Sequence, residues 1–343
     1  MNQTTIDFIK QGRIRRRGRW IAVTTALAVL TVALCCAMLL LGNTIYPVRD
    51  VAAVLLGEEV KGATFAIKTI RLPRMLAGLF AGFAFGIAGY VFQTMLRNPL
   101  ANPNVIGITA GSSAAAVFCI VVLQSSETVT SVASIIAGLL TVLIIYGLAR
   151  GKTFSIGRLI LVGIGMQAMC NSIITYLMLI AKEHNLSSAV RWLTGSLNGV
   201  KMEELPVLMI SFLVLVPLIC VLGRSLMVLE LGEQMATALG VKTDRTRVLL
   251  IVSAVVLSAI ATAITGPIAS VAFLAGPIAV RLVGTGTANS IPAGLVGAVL
   301  VLAADLVGQF AFEVKFPVGI ITGIIGAPYL LYLLVRMNRK GAF

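Results

Sequence analysis

Residues 71–100 read RLPRMLAGLFAGFAFGIAGYVFQTMLRNPL, and this stretch decides what kind of solvent the chain folds in. Between Arg74 and Arg97 no side chain carries a charge. The apolar run from about 75 to 95 matches the roughly 20 residues that a helix needs to cross a hydrocarbon core of about 30 Å. Gly78, Gly82 and Gly86 recur at four-residue spacing with Gly89 behind them, which on a helix makes a flat seam for the close approach of another backbone. The seam predicts a helix bundle and carries no information about a substrate.

Working outward, comparable apolar runs lie at 20–41 before this one, and near 104–123, 129–149, 158–181, 205–222, 247–265, 268–283, 289–311 and 318–335 after it. Ten spans of an all-α polytopic membrane protein are therefore predicted. Composition agrees: 58% of the 343 residues are hydrophobic, only 12% are charged, and the mean hydropathy is +1.01. The run from Trp20 to Leu41 is too long for a signal-peptide core and no small-residue cleavage site closes it, so it is read as an uncleaved first span. Boundaries are softened by Gly and Pro, which neighbouring helices tolerate inside a bundle.

A formal charge of +14 would point a soluble protein towards nucleic acid, but no basic stripe alternates with aromatics here. Sidedness explains the charge better. With both termini cytoplasmic, eighteen of the 27 Lys and Arg fall on inner segments, including Lys10, Arg13, Arg15, Arg16, Arg17 and Arg19, and nine fall outside. The chain is thus read as one permease domain, 1–343. A basic tail (1–19) precedes spans one to six (20–222), a cytoplasmic segment (223–246), spans seven to ten (247–335) and a short cytoplasmic tail (336–343).

Catalytic and metal chemistry find no foothold. His184 is the single histidine, and Cys35, Cys36, Cys119, Cys170 and Cys220 all sit in apolar runs without paired spacing. Gly151-Lys152-Thr153 resembles the end of a phosphate loop, but Gly147 is one residue too close and no strand precedes it. If ATP powers this protein, another chain binds it. Asp305 is the one acid deep in an apolar run, and intramembrane acids are functional candidates by default. A proton or cation pathway is one reading; a structural hydrogen bond to a neighbouring helix is the one preferred here.

In the cytoplasmic segment, Leu231, Met235, Ala238 and Leu239 fall at i, i+4, i+7 and i+8, giving a short helix one apolar face ended by Gly240. Such a face must lie on the lipid surface or enter a groove of a partner. Periodicity leaves both open.

The same segment, Leu231-Gly232-Glu233 through Met235, Ala236, Ala238, Leu239, Gly240 and Val241, resembles the coupling helix of the FecCD permease family, the membrane subunits of type II ABC importers for ferric siderophores, haem and cobalamin. Three further blocks are similar to family motifs: Arg71-Leu72-Pro73-Arg74 with Arg97-Asn98-Pro99-Leu100-Ala101; Arg191-Trp192-Leu193-Thr194-Gly195-Ser196; and Ala304-Asp305, Pro317-Val318-Gly319 and Gly326-Ala327-Pro328. The resemblance implies a multi-pass protein of the bacterial inner membrane with a second permease subunit, identical or not, and a translocation path between the two. It also implies two ATPase subunits holding ATP and Mg below, a substrate-binding protein above, and no cofactor on this chain. Residues 231–241 would seat in the ATPase. Arg71 and Arg74 would face outward to pair with acids of the binding protein, as cations without a sequence-local acid. The chain departs from the family pattern at Gln309, where an Arg is common, at Gly276-Pro277, where Pro-His is common, and at Lys315, where a Glu is common; Lys315 is the candidate third docking cation. From another class, an ion-coupled secondary transporter would rest on Asp305 alone.

Overall fold

The computed structural model describes residues 3–103, 107–149 and 156–339. Among these every regular element is helical: α1 (Gln3–Leu40), α2 (Val48–Leu55), α3 (Leu72–Leu96), α4 (Ile108–Phe118), α5 (Glu127–Ala149), α6 (Ile156–Ile180), α7 (Glu183–Thr194), α8 (Leu205–Val221), α9 (Gly223–Leu229), α10 (Glu233–Ala238), α11 (Thr243–Thr265), α12 (Ala269–Val283), α13 (Ser290–Phe310) and α14 (Val318–Arg339). Seven helices are long and apolar enough to cross a membrane, and three shorter apolar ones, 109–123, 270–283 and 318–333, follow the remaining predicted runs. Gly151-Lys152-Thr153 lies outside the described residues.

Two helices carry a widened turn. Ala66–Arg71 is π-helical and runs directly into α3, with the Leu72 N–H reaching back to the Ile67 carbonyl, and Cys119–Leu123 does the same at the end of α4. Pro73 has no N–H to donate into the preceding turn, and the wider register ahead of it accommodates that loss. Sequence periodicity did not reveal these turns.

Helices α3, α11 and α13 form the centre. The glycine seam explains how closely they approach. A Cβ on Gly82 would lie 2.7 Å from the Gly297 carbonyl oxygen of α13, one on Gly86 would strike the Ala293 carbonyl, and one on Gly89 would strike Ala272 of α12. Gly78 faces side chains instead, Leu197 at 2.9 Å and Leu302 at 3.1 Å. The seam is therefore closed within the chain. Phe80 and Phe83 pack edge-on against Phe212, each with ring centroids 5.0 Å apart, and so join α3 to α8.

Contacts between loops join segments of the same expected side. At one end Trp20 donates to the Ala288 carbonyl and Arg97 to the Leu229 carbonyl. At the other, Ser196 N–H donates to Thr265, Gly319 N–H to Gly195, and Lys315 to Asn43.

Candidate functional site

Two groups of side chains, one at each end of the bundle, carry the features singled out by the sequence. At the end expected to face outward, the start of α3 lies against the last turns of α13. Arg74 grips Asp305 with both arms of its guanidinium, Nε to Oδ2 at 2.9 Å and Nη2 to Oδ1 at 2.8 Å. Gln309, one turn beyond Asp305, donates its amide to Oδ2 at 2.7 Å, and Arg74 reaches Asn198 at 3.4 Å. The carboxylate is 1% exposed and accepts three hydrogen bonds, as a buried charge requires.

Arg71 is held differently. It donates to the carbonyls of Leu39, Leu40 and Thr44 at 2.8, 2.9 and 2.6 Å and lies over the Tyr46 ring at 4.8 Å. Leu39 and Leu40 end α1, so the guanidinium satisfies carbonyls that have no partner within their helix. Neither arginine has a sequence-local acid, but the inference that each therefore needs an outside partner is corrected: the acid that Arg74 uses is 231 residues away in sequence, and Arg71 is held by carbonyls and by no acid among the described residues.

The cleft above them, about 550 Å³, is lined by Arg71, Arg74, Arg191 and Lys315. Lys315 makes one long bond, to Asn43 at 3.3 Å, and the Arg191 side chain makes no hydrogen bond or ion pair among the described residues. Arg191 is a candidate that sequence reasoning placed only within a motif. Its outer side and its neighbour Trp192 were the available signals. Nearby, Lys201 lies 3.0 Å from Glu127, and that hydrogen bond raises the ammonium pKa.

At the opposite end, expected to be cytoplasmic, α10 is a short helix between Gly232 (φ +112) and Gly240 (φ +83). Its C-terminus closes by paired bonds, Val241 N–H to the Ala236 carbonyl and Gly240 N–H to the Thr237 carbonyl, a geometry that needs the left-handed residue glycine supplies. Leu231, Met235 and Leu239 are 63%, 56% and 60% exposed, with Ala238 exposed beside them. Ala236 is the correction here. It is fully buried against the chain's own core, with Val241 partly buried there too, so both anchor the helix and neither faces a partner.

Two arginines tie this segment to the bundle. Arg247, buried on α11, bonds Glu233 at 2.9 Å. Arg97, in a left-handed conformation (φ 49°) at the end of α3, donates to the Leu229 carbonyl at 3.3 Å. Desolvation in the turn holds the pKa of the Glu230 carboxyl above its ordinary value, and the Arg97 guanidinium offsets only part of that rise.

Between the ends, α6 turns an unusual face outward. Asn171, Ser172 and Thr175 are exposed; the two hydroxyls bond carbonyls of their own helix, Ala168 and Asn171, but the Asn171 amide has no side-chain partner among the described residues. An unsatisfied amide facing hydrocarbon is costly, so this face fits water or a second protein surface.

The FecCD transport family model matches residues 30–336. The ferric enterobactin transport system permease protein FepG of Escherichia coli (strain K12) is 37% identical over 293 residues, 85% of this chain and 88% of that protein. The Fe(3+)-citrate import system permease protein YfmE of Bacillus subtilis (strain 168) is 36% identical over 330 residues, covering 95% and 98%. Among solved structures, a metal-chelate type ABC transporter in an inward-facing conformation superposes with a TM-score of 0.79 at 29% identity, covering 92% of this chain and 99% of the other.

Proposed function

The chain belongs to the FecCD transport family, and from that premise we propose that it is the permease subunit of an ATP-binding cassette importer that carries a ferric siderophore or related ferric chelate across a bacterial cytoplasmic membrane. The observation that carries this reading is α10: a capped helix whose apolar face, Leu231, Met235 and Leu239, is left exposed by the described residues. A groove on an ATPase subunit is its partner, and two such subunits hold the ATP and Mg.

Transmission follows from what α10 is tied to. Glu233–Arg247 links it to α11, and Arg97–Leu229 links the preceding turn to α3, two of the helices that form the centre of the bundle. Movement of α10 on ATP binding therefore reaches the middle of the membrane and biases alternative packings of comparable stability. The chelate passes between this chain and a second permease subunit along the polar face of α6, which bears no charge at Asn171, Ser172 or Thr175 and so suits a large, neutral or weakly anionic ligand. On the outer side, Lys315 and Arg191 receive acids of a substrate-binding protein, with Arg71 and Arg74 framing the cleft. This chain forms no covalent bond to the cargo and holds no cofactor.

The test uses vesicles that hold the permease with its ATPase, with ATP enclosed and the binding protein and a labelled ferric chelate added outside. Met235→Asp is expected to reduce ATP-dependent uptake by at least about tenfold, the loss associated with a buried anchor residue, at unchanged membrane abundance. Uptake that ignores ATP and collapses with the ion gradient would instead identify a secondary transporter.

A further inference from the structure

Helix α1 does not stop at the membrane. It runs unbroken from Gln3 to Leu40, whereas the apolar run begins at Trp20 and the family match only at residue 30. The level at which it leaves the bundle is fixed by contacts. Arg19 donates to the carbonyls of Leu282 and Arg281 at 2.8 and 3.1 Å, capping the end of α12, and Trp20 donates to Ala288 at 3.1 Å. From Arg19 back to Arg13 the helix rises about 9 Å, close to the Debye length of about 8 Å at physiological salt.

Within that short rise lie Arg13, Arg15, Arg16, Arg17 and Arg19, all exposed. Arg19 caps α12 and Arg16 bonds its own helix at Gly12, but Arg13, Arg15 and Arg17 make no side-chain bond among the described residues. At 100° per residue the five arginines spread over about 200° of the circumference, wider than a single stripe. A protein groove would read one face and would need apolar anchors, and Ile14 is the only aliphatic side chain among them. So broad an arc of cations at this level fits the headgroup layer beside the helix instead.

We infer that residues 13–19 form a binding collar for anionic phospholipid headgroups of the cytoplasmic leaflet, seated at the α12–α13 turn. Positive charge on inner loops sets orientation during insertion; the collar goes further, retaining phosphatidylglycerol-like lipids around the finished protein.

The full chain is equilibrated with mixed phosphatidylcholine and phosphatidylglycerol vesicles, extracted, and its bound lipids counted by native mass spectrometry. R13Q/R15Q/R17Q is compared with K61Q/K68Q/K182Q, which removes the same charge from exposed outer positions. Preference for phosphatidylglycerol is expected to fall at low salt by about fivefold for each inner cation removed and to stay unchanged in the outer variant. Equal loss in both variants, or loss in neither, overturns the collar. Should the inner variant be lost during extraction, salt and crosslinking on the otherwise unaltered chain decide. Rising salt must erase the preference, and a photocrosslinker in place of Arg15 must capture lipid in native membranes; capture of a protein subunit instead overturns the proposal.

Discussion

Helices α3 and α6 have the same length, 25 residues, both contain glycines and both are apolar enough to cross a membrane, yet 83% of the most apolar stretch is buried in the span containing α3 and 17% in α6. Hydropathy separates membrane from water but not the inside of a bundle from its rim, since lipid is as apolar as a leucine core. What separates them is what the glycines meet. Gly82, Gly86 and Gly89 press on backbone of α13 and α12, whereas Gly165 of α6 has nothing within 4 Å. Polar side chains divide the same way, with Gln93 of α3 bonded to the Ala272 and Phe273 carbonyls and Asn171 of α6 facing outward without a side-chain partner among the described residues.

The sharpest way to break this contrast is to fill both seams. Gly86→Leu drives a side chain into the Ala293 carbonyl, backbone that cannot move aside, and is expected to cost more than the roughly 3 kcal/mol of ordinary overpacking. No monodisperse protein should be recovered by size exclusion in detergent. Gly165→Leu should melt within a few degrees of the parent, and equal damage at both sites would show that exposure on α6 is not real.

A smaller but still large effect is expected where α3 meets α13 through charge. Arg74→Ala leaves Asp305 buried and unpaired, at a cost of about 3–5 kcal/mol, read as a lowered melting temperature. Arg74→Met with Asp305→Leu should recover most of the loss, because the pair's mutual attraction largely offsets its own desolvation. Failure of the double variant to recover would show that the pair does more than hold two helices.

The smallest effect on stability belongs to α6. Asn171→Leu should change the melting temperature little, within about 0.5 kcal/mol as for other exposed sites, while lowering chelate uptake. Higher stability with normal uptake would place this face in lipid and move the path elsewhere.

Much of this was legible beforehand. The ten apolar runs have helical counterparts, because the demand that each span hide its backbone polar groups leaves little freedom. The apolar face at Leu231, Met235 and Leu239 was visible from spacing, and Gly240 does close the helix. Asp305 stood out as the lone acid in its span. Its partner did not: nothing local couples residues 74 and 305, and the four-residue step to Gln309 hinted only at a shared helix face. Ala236 entered the coupling segment through the family resemblance, while the i, i+4, i+7, i+8 spacing left it off the apolar face, and its burial agrees with the spacing.

Sequence by itself determined that this chain is a multi-pass helical membrane protein, which of its connecting loops gather at the same end of the bundle, and which segment presents an exposed apolar face. Those properties follow from local free energies, the transfer of side chains into hydrocarbon and the closure of helix ends. Only tertiary structure decided that α3 is the axis and α6 the rim, that Arg71 caps α1, and that Arg74 is held by Asp305. These depend on which helices pack together, and between apolar helices in an apolar solvent that choice rests on shape and a few buried polar pairs, whose partners are distant in sequence.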